Sequence, residues 1–203
     1  TADISGSMTF QGEIAHNLNS ADPLSIKFNA GSILTQNCPG NIFNTTGSLN
    51  SAIFRNGSVL KLNHANALSP FGVSAPNTKI ILESQSSIVI QGTSSIKLEG
   101  RVIPNLTVEQ NSVLNAKESY TMGVTFGSLT VKNTGTFKIE NTNTVVAADL
   151  NIHGNIDVTG SLIFSTNSGS KFKVNLNGTD AQSISGSGEI TIPANLEKFT
   201  IEN

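Results

Sequence analysis

Chemistry at a protein site needs side chains that ionise, ligate or attack, and this chain offers few of them at useful spacings. Its three histidines, His16, His64 and His153, stand far apart, and no H-x-x-H or H-E-x-x-H pair sets two imidazoles on one metal. Each reads as a structural or solvent-facing residue. Cys38 is the single cysteine, so neither an internal disulfide nor a cysteine-based zinc site is available, and a lone thiol fits either redox compartment. The G-x-S-x-G elbow, the G-x-x-x-x-G-K-[ST] phosphate loop and G-x-G-x-x-G are all absent. "SGSGE", Ser185 to Glu189, is a glycine-rich turn and nothing more specific. No catalytic residue, metal ligand or cofactor-binding residue is assigned, and no cofactor is expected.

Carboxylates deserve a separate test, because polysaccharide lyases and glycosidases need them clustered, for calcium or as an acid and base pair, with a basic residue near the substrate. The aspartates are Asp3, Asp22, Asp149, Asp157 and Asp180, and they are scattered. Glu140 lies seventeen residues before Asp157, so a coil of that length would set the two together. The default reading of each is an isolated surface charge. The calcium nonapeptide G-G-x-G-x-D is missing. Thr134/Thr136 and Thr142/Thr144 form two Thr-x-Thr pairs of the kind that ice-binding faces repeat, but the pattern does not continue. N-x-S/T triplets at Asn44, Asn56, Asn105 and Asn177 are acceptor signatures that an Asn/Ser/Thr-rich chain also produces by chance.

Composition narrows the partners. Charged residues make up 13% of the 203 residues, about half the usual share. Twelve basic residues, only Arg55 and Arg101 among them arginine, face fourteen acidic ones. Nucleic acid is therefore not an expected partner, since phosphate binding needs clustered Lys and Arg. No run approaches the eighteen or so apolar residues of a membrane helix, and "TADISGSMTF" lacks the regions of a signal peptide. A disordered chain would pair low hydrophobicity with high net charge, which this one does not.

The elements that would position any site are short strands. "LSIKFNAGSILTQN" puts Leu24, Ile26 and Phe28 on one side, and "TKIILESQSSIVIQGTSSIKLEG" alternates at Ile80/Leu82, Ile88/Ile90 and Ile96/Leu98. "GSLTVKNTGTFKIEN" does so twice around a polar joint, with Leu129 and Val131, then Phe137 and Ile139. Joints at Gly31-Ser32, Gln85-Ser86-Ser87, Thr93-Ser94-Ser95, Asn111-Ser112, Gly127-Ser128, Gly160-Ser161 and Gly169-Ser170 each precede a new alternation, and these are residues that turn a backbone readily. "HANALSPF" near Ala65 and "NTVVAADL" near Ala147 read as loops with at most one helical turn.

Strands this short cannot bury an apolar face alone, but coils of about eighteen to twenty-five residues stacked on an axis can. The expectation is one all-β domain over 1–203, a right-handed parallel β-solenoid of about eight to eleven coils. Residues 1–23 are a candidate N-terminal cap, and 24–203 form stacked coils without a C-terminal cap. An antiparallel sandwich is the rival. Joints of the G-S, S-S and N-S kind, the absence of Trp and the Ile/Val/Leu-rich apolar set favour the solenoid. Phe28, Phe126, Phe137, Phe164 and Phe172 then stack inside, with Ile156, Val158 and Leu162 beside them, and a row of exposed rings for sugars is not expected. Phe71, in "SPFGVSAP", is the phenylalanine placed to cap a loop or meet a partner.

The stretch Gly160 to Asn203, "GSLIFSTNSGSKFKVNLNGTDAQSISGSGEITIPANLEKFTIEN", resembles the repetitive modules of bacterial surface and secreted β-solenoid proteins, including adhesins and autotransporter-like passengers. Its "NGT-x-AQ-x-I-x-G-S-G" cadence is similar to secreted surface proteins of the Bacteroidetes kind. The resemblance covers about a quarter of the chain, carries over no functional residue, and implies export to the cell surface or medium with adhesion or scaffolding in a filament. The expected function is a non-catalytic extracellular structural or adhesive module. Its partners would be further repeats or neighbouring subunits stacked end to end through Leu196, Phe199 and Ile201, with surface glycans as a further class. The alternative is a carbohydrate-binding or carbohydrate-active β-helix, of the phage tail-spike or lyase-like kind. Three or more Asp, Glu, Lys, Arg or Tyr side chains in one groove would favour that alternative; a uniform Ser/Thr/Asn surface would favour the scaffold.

Overall fold

A computed structural model describes residues 1–43, 46–65, 70–166 and 170–201. Four coils open the chain, each with a three-residue strand and a longer one: β1 (Ala2–Ile4) and β2 (Ser7–Gln11), β3 (Ile26–Phe28) and β4 (Ile33–Asn37), β5 (Ala52–Phe54) and β6 (Val59–Leu62), β7 (Ile80–Leu82) and β8 (Ser87–Ile90). The fourth coil also begins a new wall with β9 (Thr93–Ser95). The strands then lengthen through β10 (Val102–Val108), β11 (Val113–Glu118), β12 (Val124–Val131) and β13 (Thr136–Asn141). The chain continues through β14 (Ala148–Ile152), β15 (Ile156–Val158), β16 (Ser161–Thr166), β17 (Phe172–Leu176), β18 (Ile184–Ser185), β19 (Glu189–Thr191) and β20 (Lys198–Ile201).

Every pairing between them is parallel. Three sheets wrap the axis: β1-β3-β5-β7, the long wall β2-β4-β6-β8-β10-β12-β14-β17-β20 with β15 and β18 beside it, and β9-β11-β13-β16-β19. The fold is a parallel β-solenoid of about eight turns, and no described residue is helical. Coil length varies: the register steps by eighteen residues from Ser87 to Asn105 and by twenty-eight from Ile156 to Ile184.

The recurring joints have a common geometry. In Asn29–Ser32, Arg55–Ser58, Glu83–Ser86 and Glu109–Ser112 the amide of the fourth residue donates to the carbonyl of the first, at 2.8–3.2 Å. Ser58 and Ser86 add a second bond, their hydroxyls donating to the same carbonyls of Arg55 and Glu83 at 2.6 and 2.7 Å. In these two turns the buried serine is thus satisfied within its own corner, whereas the Ser112 hydroxyl donates to the Gln110 carbonyl at 3.3 Å and the buried Ser32 hydroxyl has no partner among the described residues. The third position is left-handed at Gly31 and Gly57, and at Asn111 and Thr134 in the equivalent turns further on.

Side chains alternate in and out as period-2 patterning requires. Leu129, Val131, Phe137, Ile139, Ile156, Val158, Leu162 and Phe164 all join the buried core, as do Phe28, Phe126 and Phe172. Phe28 stacks on Phe54 one coil away, with ring centroids 4.4 Å apart. Ile80, Ile88, Ile90, Ile96 and Leu98 are buried and Leu82 packs against them.

Three details differ from the sequence reading. Leu24 does not share the side of Ile26 and Phe28: it sits at a corner with φ 52° and is 44% exposed, stacked beside Asn50, which has the same φ. Thr93–Ser95 is a strand and not a joint, because it opens the third wall by pairing with β11. Gly127-Ser128 lies inside β12, where the in-and-out alternation changes phase: the register with β10 keeps its offset across it, while the opposite side passes from β14 to β15. A Cβ on Gly127 would stand 2.0 Å from the Pro104 carbonyl oxygen, so only glycine lets these coils approach. Residues 1–23, the candidate cap, carry β1 and β2 in register with β3 and β4 and so lie on the second coil as a coil themselves. Gly169 and residues 66–69 of the loop near Ala65 lie outside the described residues, while 142–147 form a loop.

Candidate functional site

The site is built where the solenoid changes plan. The third side of coils two and three carries no strand of a third sheet among the described residues, whereas from the fourth coil onward that side is a sheet whose edge strand is β9. Between this edge and the loop around Gly72–Ala75 opens a cleft of about 370 Å³, reached also by Asn41 and by Lys117 and Glu118 of the next coil. Five charged side chains line it: Lys97, Glu99, Arg101, Lys117 and Glu118.

Arg101 forms its base. It occupies the fourth position of the turn Leu98–Arg101, which serine fills in the four turns Asn29–Ser32, Arg55–Ser58, Glu83–Ser86 and Glu109–Ser112, with its amide donating to the Leu98 carbonyl at 3.0 Å. The buried guanidinium lies over the Phe71 ring, 4.5 Å from its centroid. Nη1 donates to the Asn77 carbonyl at 2.6 Å and Nη2 to that of Val73, so one side chain pins the loop over the coil beneath it. Nε has no hydrogen-bond partner among the described residues. Burial pulls the guanidinium below its ordinary pKa, opposed by Glu118 and Glu99, and it stays charged. Phe71 is therefore a buried loop anchor, 3% exposed, and presents no ring to a partner.

The two glutamates clasp neighbouring coils reciprocally. Glu118 Oε1 accepts the Leu98 amide at 2.5 Å and Oε2 the Glu99 amide at 3.3 Å, one coil back. Glu99 Oε1 accepts the Thr121 amide at 2.7 Å, the Thr121 hydroxyl at 2.5 Å and the Met122 amide at 3.2 Å, one coil forward. Each carboxylate replaces ladder bonds where the strands end. Their environments separate them. Burial dominates at Glu118 and raises its pKa despite the two amides; burial also acts on Glu99, but the Thr121 and Met122 donors outweigh it and hold Glu99 low. Such a split is what an acid and base pair requires. Tyr120 is fully buried beside them, its hydroxyl donating to the Ala116 carbonyl at 3.3 Å and pushed far up by burial. One coil further along the same sheet, Glu140 sits between Lys117 at 2.5 Å and Lys138 at 2.8 Å, and these two cations depress its pKa.

The residues singled out from sequence lie elsewhere. Glu140 stacks between Lys117 and Ser165, while Asp157 stacks between Thr130 and Ser185 on another sheet, so the coil does not join them. The histidines stay apart: His16 leans on Phe10, at 5.7 Å between centroids, and no group of three His, Cys, Asp or Glu side chains forms a metal site among the described residues. Cys38 is buried and free. Asn105 donates through Nδ2 to the Ser86 carbonyl at 2.9 Å, and Asn177 has its Oδ1 buried. Asn56 is exposed, with its Oδ1 accepting the Gln85 amide at 2.9 Å, and Asn44 lies outside the described residues. Thr134 bonds Asn111 at a corner and Thr136 faces Val113 and Ser161, so the threonines form no continuing rank. In the last coil Leu196 packs partly against the core, whereas Phe199 and Ile201 are 39% and 66% exposed.

Sequence reasoning missed the cleft, although "KLEGR", Lys97 to Arg101, puts three charges in five residues of a chain that is only 13% charged. No family model, no curated protein and no solved structure matches the chain. No helix of the described residues is long and apolar enough to cross a membrane.

Proposed function

We propose that the chain is an extracellular structural or adhesive solenoid module without catalytic activity, whose last described coil stacks on a further coil of the same protein or of a neighbouring subunit. The observation that carries this reading is the state of that coil. Phe199 and Ile201 continue the rows of Val174 and Leu176, which are buried, yet lie 39% and 66% exposed themselves. Exposed apolar strand rows pair readily with another chain. Support for a surface setting comes from the low charge, from the resemblance carried by Gly160 to Asn203, and from the largely hydroxyl-bearing outer row Thr9, Thr35, Lys61, Val89, Thr107 and Thr130. Light scattering across a concentration series tests it. The unmodified chain should self-associate, and Phe199→Lys with Ile201→Lys should reduce association while the far-ultraviolet spectrum stays unchanged. A monomer at every concentration, from a gene that encodes no further coil, would rule out the stacking.

The cleft favours a second reading, a carbohydrate-active β-helix, since five charged side chains share one groove. Against catalysis stands the engagement of the carboxylates. Both oxygens of Glu118 already accept amides of the neighbouring coil, which ties the carboxyl to the backbone as a structural clasp. Release of reducing sugar or unsaturated uronate from pectin or alginate, lost in Glu118→Gln, would establish the second reading over the first.

A further inference from the structure

We infer that two copies of the chain pair side by side, pointing in opposite directions, along the corner at which successive coils enter β7, β10, β12 and β14. This goes beyond the end-to-end stacking proposed above and does not depend on it, since none of the residues concerned lies in the last coil. Exposed apolar side chains gather on that corner, one coil after the next: Pro76, Val102, Met122, then Val145 with Val146. The corners touch, because a Cβ on Gly100 would stand 2.8 Å from Cβ of Ala75 and 3.3 Å from Cε of Met122. Single exposed apolar residues are ordinary on a protein surface. Here they form a knob and a hollow that fit each other.

The knob is Val145, 90% exposed. Its loop is held from within. The buried Asn141 accepts the Asn143 amide through Oδ1 at 2.8 Å and donates through Nδ2 to the Val146 carbonyl at 3.3 Å. Asn143 Oδ1 in turn accepts the amides of Val145 and Val146 at 2.9 and 3.1 Å. Asn143 Nδ2 donates to the Tyr120 carbonyl at 2.9 Å, which ties this loop to the one that carries Met122. The valine is thus presented in a fixed place, with little freedom left to lose on docking. The hollow lies on the other side of Met122, about 260 Å³ between the loop before β7 and the start of β10, lined by Pro76, Thr78, Ile81, Leu82, Gly100 and Val102. It has room for the side chains of both valines.

Knob and hollow stand one to two strand spacings from Met122 on opposite sides, about 5–7 Å. A two-fold axis passing near Met122 therefore carries each Val145 into the hollow of the other copy and brings the two Met122 side chains together, one patch serving both. That self-complementarity names a second copy as the occupant. Charge agrees. The ionisable group lining the hollow is Arg101, whose terminal nitrogens are held by the Asn77 and Val73 carbonyls, and beside Val145 the Lys171 ammonium meets Glu197 at 3.8 Å. Neither surface would bury an unpaired charge. The contact spans only four coils, about 15–20 Å, short of a standard interface, so the pairing is weak.

Sedimentation equilibrium of the chain carrying Phe199→Lys and Ile201→Lys tests the inference with end-to-end growth removed. A monomer–dimer equilibrium with a Kd of about 10–500 µM is expected. Val145→Asp and, separately, Val102→Trp, which fills the hollow from an exposed position, should each weaken it at least about tenfold while melting temperatures stay within a few degrees of the parent. Met122→Cys should form disulfide-linked dimers on mild oxidation faster than Asn133→Cys, an exposed control beyond β12 at the corner between the long wall and the third sheet. Monomer at every concentration up to about 1 mM, a dimer undiminished in either variant, or equal rates of cross-linking overturns the inference. Growth beyond the dimer in the parent chain belongs to the stacking reading, and its absence would count against that reading alone.

Discussion

The first four coils and the later ones solve the same packing problem with different walls. In the first four, three-residue strands such as β3 and β5 meet longer ones, as at the tight four-residue corners Asn29–Ser32 and Arg55–Ser58, and before β9 the third side carries no strand of the third sheet among the described residues. In the later coils β10 and β12 run seven and eight residues without a break, and the third side becomes a sheet. The same turn serves both plans: Asn29–Ser32 and Arg55–Ser58 lead into the long wall, whereas Glu109–Ser112 leads from the long wall into the third. A local device therefore does not fix the cross-section. What fixes it is how many residues separate one such turn from the next, and the cleft sits where that number changes.

Breaking a core position in the later coils should have the largest effect. Phe137 is buried against Phe126, with ring centroids 6.0 Å apart, and Phe137→Asp would bury a charge without a partner. Loss of the cooperative melting transition is expected, since the removed burial alone is worth about 3–5 kcal/mol. An unchanged melting temperature would sink the inward assignment.

Glycine substitutions sharpen the contrast between halves. Gly127→Val drives a side chain into the Pro104 backbone and should cost several kcal/mol, about as much as a core cavity. Gly31→Ala has open space around its Cβ and meets only the left-handed φ of 77°, so a loss of about 1 kcal/mol is expected. Chemical denaturation of both variants checks the ratio; equal losses would mean that the two corners are built alike after all.

The pH profile should separate the glutamates at the junction and beside it. Glu140 and Glu99 have folded pKa values below their unfolded ones, so the stability they contribute is present above the ordinary glutamate range and is lost as pH falls through the lowered values. Glu118 has the opposite sign, because burial favours its protonated form, and its contribution grows as pH falls from its raised value. Melting temperatures followed from pH 7 downward should decline more gently in Glu140→Gln than in the parent, and more steeply in Glu118→Gln. The reverse order would show that the clasp does not govern the acid limb.

The smallest change belongs to the surface. Lys132 meets Glu109 at 2.9 Å across two coils, with both side chains partly exposed. Lys132→Ala should cost less than about 0.5 kcal/mol and disappear in high salt. A larger, salt-resistant loss would place this pair among the structural clasps.

Much of the architecture was legible because alternation is a local property. Ile88, Ile90, Phe137 and Ile139 announce an inward face in their own neighbourhoods. Leu24 misled because its apolar side chain continues the pattern past a corner that only the backbone angle reveals. Thr93–Ser95 has the composition of a joint and becomes a strand through its partner β11, twenty residues away. The cleft was hidden for the same reason in stronger form. Glu118 reaches Leu98 and Arg101 reaches Val73 only once coil lengths set the register, and charges that look scattered along the chain converge.

Unequal coil lengths carry a further consequence for how such a chain tolerates change. Each turn advances the stack by one strand spacing, about 4.8 Å, whether it contains eighteen residues or twenty-eight. Residues added between strands, as in the stretch between β17 and β18, lie outside the ladder and leave the pitch alone. Only a whole turn gained or lost alters the reach of the rod. Lateral ornament and axial length are thus separate variables in this molecule, and a lineage could reshape its flank freely while keeping the distance between its two ends.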